Sequence, residues 1–360
     1  MRVLHVIARM NIGGTARYLA SLSNGLTENG IESKIASGYV QGAESEDPSV
    51  NKVDLVRIPA LGRAINPIKD LTAMNQLQKI IANYKPDIIH SHTFKGGLIS
   101  RYPKRETKLV HTFHGHLFDD PEFSGPKSVA ITAIERSLAR RSEKLVTVGQ
   151  RVADDLLARE IGNPKQYVNI PPGVVPLPEL ERNIARAEFR LPEDWVVVGW
   201  LARMTGVKNP HLALEVARAM PQVQFIMGGA GDQLEEIRGA APLNVKVLGW
   251  VDAAKFIAAS DVILSTSENE GMPIALIEAQ LAGKPIVATN AGSVSEVVIN
   301  EQSGFVVNRN IGQIKDALTK LISDPVLRQG MGAAGKFRSS EYFATSKMID
   351  AHIAMYQSIM

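Results

Sequence analysis

The chain has 360 residues, 45% of them hydrophobic and 21% charged, enough for two globular domains that each bury a core. Its 40 Lys and Arg against 37 Asp and Glu leave a formal charge of +3, too small to drive wholesale binding of nucleic acid, which is therefore not an expected partner. With no cysteine, a disulfide framework, a thiolate zinc site and a cysteine nucleophile are excluded, which fits a cytoplasmic protein.

An alternating apolar run over residues 3–8 reads as a first strand, too short for the apolar core of a signal peptide. No segment reaches the roughly 18 to 20 apolar residues of a membrane span. After Gly13 and Gly14 comes a helix over 15–28, with Leu19, Leu22 and Leu26 on one face and Gly30 as its stop. Further strands read at 31–37, 53–58, 87–92, 109–114 and 145–148, with helical stretches between most of them. The proline-rich run 171–178 suits neither helix nor central strand and reads as a linker. Beyond it the alternation restarts, with strands at 195–201, 223–227, 245–248, 261–265 and 285–288. This α/β pattern predicts two doubly wound, Rossmann-like domains, 1–172 and 173–344, whose strand ends face a central cleft. A last helix, 345–360, carries Met348, Ile349, Ile353, Tyr356 and Ile359 at helical spacing and is expected to pack back on the first domain.

The strongest chemical signal is 265–278, Ser-Thr-Ser-Glu-Asn-Glu-Gly-Met-Pro-Ile-Ala-Leu-Ile-Glu, where an apolar strand ends in small polar residues, turns at Gly271 and enters a helix near Pro273. Such a helix start aims unpaired amides and the positive end of a dipole at its ligand, which favours phosphate. Glu270 and Glu278 bracket the turn, Glu278 roughly 8 Å along the helix axis, so the two can serve different parts of one extended ligand. Taken alone, Glu270 could equally cap the helix while Glu278 makes a surface pair. Arg203 and Lys208 follow the first strand of the second domain, where a planar fork and a compact charge suit a diphosphate; in isolation they would read as solvated loop charges. Gly13-Gly14 and Gly228-Gly229-Ala230-Gly231 allow close approach of backbone to a ligand, although a bare glycine pair also makes a plain turn and the second run lacks dinucleotide spacing.

His90, His92, His111, His114 and His116 lie at the ends of two strands expected to be neighbours. His90 and His92 share a face and could ligate a metal. No nearby carboxylate completes a ligand set, however, and Asp119-Asp120 has no diagnostic spacing, so the favoured reading is hydrogen-bonded histidines and no metal. Two basic stretches, Arg101, Lys104, Arg105 and Lys108, then Arg136, Arg140, Arg141 and Lys144, read either as a peripheral membrane contact or as a solvated face interspersed with Glu135 and Glu143.

The setting of the two glutamates, Glu-Gly-Met-Pro-Ile-Ala-Leu-Ile-Glu-Ala, resembles the signature of the retaining family 4 glycosyltransferases, enzymes of the GT-B fold. The resemblance extends to 202–209, Ala-Arg-Met-Thr-Gly-Val-Lys-Asn, and to 87–97 and 109–116, and it matches essentially the whole chain in order. It implies transfer of a hexosyl unit from a nucleoside diphosphate sugar, of UDP or GDP type, to an acceptor hydroxyl with retained configuration, in glycan or glycolipid assembly. No other cofactor and no metal is implied. On this resemblance Arg203 and Lys208 stabilise the leaving diphosphate, Glu278 takes the ribose diol, and Glu270 and His114 hold sugar hydroxyls. Gly13, Gly14, Gly229, Gly271, Met272, Pro273 and Ile274 complete the donor site. The glutamate usual after the family's glycine loop is replaced here by Thr15 and Ala16. Rival readings are a sugar-nucleotide epimerase of similar fold and a noncatalytic nucleotide-sugar binding module.

Overall fold

The computed structural model describes residues 1–42, 44–103, 105–115 and 126–360. The chain forms two units, Met1–Gly173 with Thr345–Met360, and Val174–Ala344. Gly173 falls with the first unit, one residue beyond the expected boundary, because its amide donates to Met348 Sδ of the terminal helix.

In the first unit seven parallel strands, β1 (Arg2–Ile7), β2 (Glu32–Ser37), β3 (Leu55–Arg57), β4 (Ile88–His92), β5 (Lys108–Phe113), β6 (Lys144–Thr147) and β7 (Tyr167–Asn169), stand in the order β3-β2-β1-β4-β5-β6-β7. Alternation along each strand splits the core into two layers. Val3, Ile88 and Val110 face a cluster that includes Tyr18, Leu22, Leu26, Met348 and Tyr356, while Leu4, Ile89 and Leu109 face Leu77, Ile81 and Ile99 on the other side. The first cluster joins the helix Gly14–Glu28 to the helix Thr345–Gln357.

Gly25 marks the closest approach of those two helices, since a side chain there would run into Ile349. A mid-helix glycine normally gains about 1 kcal/mol on replacement by a better helix former. Here the sign should reverse: Gly25→Leu is expected to destabilise by about 1–3 kcal/mol through overpacking, seen as a lower urea midpoint. A raised midpoint would mean that the terminal helix does not rest there.

The second unit holds β8 (Val197–Leu201), β9 (Gln224–Gly228), β10 (Val245–Gly249), β11 (Val262–Ser265), β12 (Ile286–Thr289) and β13 (Gly304–Val307), all parallel, in the order β10-β9-β8-β11-β12-β13. Both sheets are doubly wound, and their order reverses at β1/β4 and at β8/β11, where such sheets bind ligands. Two strands escaped the sequence reading, β7 and β13, each short and at the edge of its sheet.

The first basic stretch departs from the solvated face expected of it at Arg101, while Lys108 does pair with Glu143 at the surface. Arg101 and Glu135 are wholly buried and pair at 2.8 Å. Arg105 bonds the Ser100 carbonyl and Gln78. In the second stretch Arg136 pairs with Glu160, Arg141 bonds the carbonyls of Arg101 and Tyr102, and Lys144 bonds that of Lys165. Lys104 lies outside the described residues, as do His116, Asp119 and Asp120.

Candidate functional site

In the second unit the loops leaving β8 and β11 are tied together by their own polar groups. Thr266 Oγ1 accepts from the Trp200 indole at 2.8 Å and donates to the Asn209 carbonyl at 2.7 Å, while the Glu268 amide donates to the Val207 carbonyl. This brings Lys208 against Glu270: Nζ lies 2.6 Å from Oε1, which also accepts from Ser267 Oγ at 2.7 Å. Neither side chain is more than 18% exposed. The Glu270 carbonyl is held in turn by the Ser293 amide, and Gly292, at φ 48°, is packed so closely on it that a Cβ would collide.

Gly271 and Met272 then carry the chain to Pro273, the N-cap of the helix Ile274–Leu281, whose start has no side-chain cap. Glu270 thus does not cap this helix, and Glu278, in its second turn and 4% exposed, is not a surface residue. Arg203 is exposed, and its guanidinium has no hydrogen-bond or ion-pair partner among the described residues. Thr205 Oγ1, Asn269 Oδ1 and Ser293 Oγ are buried without a partner among the described residues, an uncommon state that concentrates unused bonding capacity around Arg203, Lys208 and Glu270. Gly229, at φ 137°, serves the loops themselves, since a Cβ there would meet the Ala202 carbonyl.

In the first unit Gly13 is the N-cap of the helix Gly14–Glu28, again without a side-chain cap. Tyr18, one turn on, meets His114 edge-on with centroids 4.9 Å apart. His114 follows β5 directly, and its Nε2 lies 3.0 Å from Nδ1 of His92, the last residue of β4. His92 Nε2 in turn lies 3.1 Å from His5 Nδ1. His90 spends both nitrogens, on Tyr356 Oη and Thr112 Oγ1, each at 2.6 Å. His352, from the terminal helix, donates through Nδ1 to the Met348 carbonyl and therefore accepts through Nε2 from Tyr18, 3.1 Å away. His111 is bonded apart from this group, to Ser91 Oγ. Burial holds His5 and His114 down to about 3 and His352 to about 4, with His90, His92 and His111 well below their usual value.

Beyond His92 the backbone is strained: Thr93 sits at φ 61°, costly for a β-branched residue, and its buried hydroxyl has no partner among the described residues. The reading of the sequence missed His5, Tyr18, Thr205, Ser267, Ser293 and His352. Only His5 left a signal, as a polar residue inside an otherwise apolar strand.

Two Rossmann-like units in one chain, with cations and carboxylates gathered where the second sheet reverses, define an α/β enzyme of the GT-B architecture. The family model described as Glycosyltransferase Family 4 matches residues 12–176, and that described as Glycosyl transferases group 1 matches 181–338. Between them they span nearly the whole chain, which belongs to the family 4, group 1 glycosyltransferases and is a hexosyltransferase. The UDP-Gal:alpha-D-GlcNAc-diphosphoundecaprenol alpha-1,3-galactosyltransferase of Escherichia coli is 27% identical over 75% of each chain. The D-inositol 3-phosphate glycosyltransferase of Mycobacterium tuberculosis is 25% identical over 96% of this chain and 78% of its own. Among solved structures, sucrose-phosphate synthase of Thermosynechococcus elongatus superposes with a TM-score of 0.85 at 17% identity, covering 99% and 98% of the two chains. The Anabaena protein HepE, solved with UDP and glucose, gives 0.80 at 18% identity over 100% of both.

Proposed function

We propose that this glycosyltransferase moves a hexosyl unit from a UDP-sugar to an acceptor hydroxyl with retention of configuration and without a divalent metal. The observation that carries this reading is the Lys208–Glu270 pair at the β8/β11 reversal, beside an uncapped helix start and with Arg203 on the same loop as Lys208. Two cations and a helix dipole meet the negative charge that builds on a departing diphosphate, the task a metal would otherwise perform. Glu278 receives the ribose diol through its two oxygens. Gly271, Met272, Pro273 and Ile274 bring backbone to the phosphates.

Retention by a double displacement needs a carboxylate free to attack. Glu270 Oε1 already accepts from Lys208 and Ser267, which spreads its charge and weakens it as a nucleophile. The reading therefore favours departure and attack on one face of the sugar, with the leaving phosphate taking the acceptor's proton. Preference for uridine is supported by the UDP-galactose donor named for the E. coli relative and by the UDP bound to HepE. A lipid-linked acceptor follows the diphosphoundecaprenol named for the same E. coli relative, and a site of action on the cytoplasmic side of a membrane surface is part of this proposal. No helix among the described residues is long and apolar enough to cross a membrane.

Calorimetry with UDP and GDP, followed by transfer assays with and without EDTA, tests this reading. UDP should bind the wild type and bind Glu278→Gln about tenfold more weakly, transfer should survive the chelator, and the product should keep the donor's anomeric configuration. Loss of activity in EDTA with rescue by one added metal would end the metal-free mechanism. Release of UDP or epimerised sugar without acceptor would favour an epimerase or hydrolase.

A further inference from the structure

His114, His92 and His5 form a hydrogen-bonded row of three imidazoles, with N···N distances of 3.0 and 3.1 Å. Each is held neutral by burial, so each carries one N–H. A contact between two ring nitrogens needs one proton, so the three tautomers are locked to one another. The row can point only one of two ways.

The far end decides which. His5 Nε2 is buried and has no partner among the described residues. Were the protons directed toward His5, that atom would be an N–H with no acceptor. Directed the other way, it is a bare lone pair, and buried donors left unpaired are rarer than under-satisfied acceptors. Accordingly His5 Nδ1–H donates to His92 Nε2, and His92 Nδ1–H donates to His114 Nε2. The proton of His114 must then sit on Nδ1, the nitrogen that has no partner among the described residues.

We infer that His92 and His5 are positioning residues that fix His114 as its Nδ1–H tautomer, so that it donates a hydrogen bond to an oxygen of the transferred sugar. This rests on the proposed function, with His114 taken to hold a hydroxyl of the transferred sugar. The other tautomer would present a lone pair and could only accept. A sugar oxygen that receives the His114 proton must give its own elsewhere, so the row selects among hydroxyl arrangements as well as holding one. A metal would compete poorly for these rings. Nitrogens of His5, His90 and His92 lie within 4.8 Å of one another, but His90 and His92 have both nitrogens committed, which leaves His5 Nε2 alone.

The test is a long-range ¹H–¹⁵N correlation spectrum of the histidine-labelled full chain. In the wild type His5, His92 and His114 should each show a protonated Nδ1 and a bare Nε2. In His92→Phe, His114 should revert to the Nε2–H form that neutral imidazole prefers in water, and kcat for transfer should fall by about 3- to 10-fold with UDP affinity within about twofold. His92→Asn, whose amide N–H stands near the lost Nδ1–H, should recover most of that loss. A wild-type His114 protonated on Nε2 overturns the inference, as does cobalt(II) chloride at one equivalent shifting the His5 and His92 signals. The wild-type spectrum needs no variant, so misfolding of His92→Phe does not rescue the idea. Undiminished transfer by His114→Ala would instead sink the sugar contact itself, and the inference with it.

Discussion

Lys208→Ala should slow sugar transfer by about 10²- to 10³-fold, or roughly 3–4 kcal/mol, and should weaken binding of UDP more than Arg203→Ala does. The difference comes from the partner left behind. Arg203 has no side-chain partner among the described residues, whereas Lys208 is bonded to a Glu270 side chain only 11% exposed. Removing the lysine leaves that carboxylate poorly compensated beside the incoming diphosphate, adding repulsion to the lost attraction. Two consequences separate this account from one of independent charges. Glu270→Gln alone frees Lys208, so it should bind UDP at least as tightly as wild type while transferring sugar 10-fold or more slowly. Combined with Lys208→Ala, it should restore part of the lost UDP affinity, a non-additive cycle. Strict additivity in calorimetry would mean that the pair is no part of the phosphate grip.

That coupling was not legible in the sequence, although both residues were. Their positions were readable because each follows a strand, and in a doubly wound sheet strand ends gather at the reversal; the glycine, proline and small polar residues after β11 announced the turn. Lys208 and Glu270 are 62 positions apart, and which strand neighbours which is a property of sheet order, not of local pattern. The histidines show the same divide more sharply. His90, His92 and His114 announced themselves in pairs and at strand ends. His5 sits within an apolar strand and His352 within a helix read for its apolar face, and both join the cluster only through folding. Arg101 failed for the opposite reason: basic neighbours suggested a surface, but Glu135, 34 positions on, draws it into the interior.

The largest effect should come from acid. His5, His90, His92, His111, His114 and His352 all belong to the first unit; all but the half-buried His114 are fully buried, and all are held neutral well below their usual pKa, first of all by desolvation. The sign follows from linkage. As pH falls below about 6.5 the unfolded chain takes up a proton at each histidine, while the folded unit refuses it until about 3 or 4 where those values are resolved. Stability is therefore fully present above pH 6.5 and lost as pH falls toward the folded values. Each such histidine contributes a slope approaching about 1.4 kcal/mol per pH unit, so six together approach about 8. That rivals the whole stability of an ordinary domain, about 5–15 kcal/mol, within little more than one unit of pH. The first unit should accordingly unfold at roughly pH 5 to 6. The second unit contains a single histidine, His211, which is half-exposed, so that unit has no such buried cluster. All three tryptophans, Trp195, Trp200 and Trp250, lie in the second unit, so the two responses can be followed in one sample. Far-UV circular dichroism should drop through this range while tryptophan emission holds. If the dichroism instead persists to pH 4, the folded unit must be accepting protons on these rings, and neither the neutral row behind His114 nor its fixed tautomer would stand.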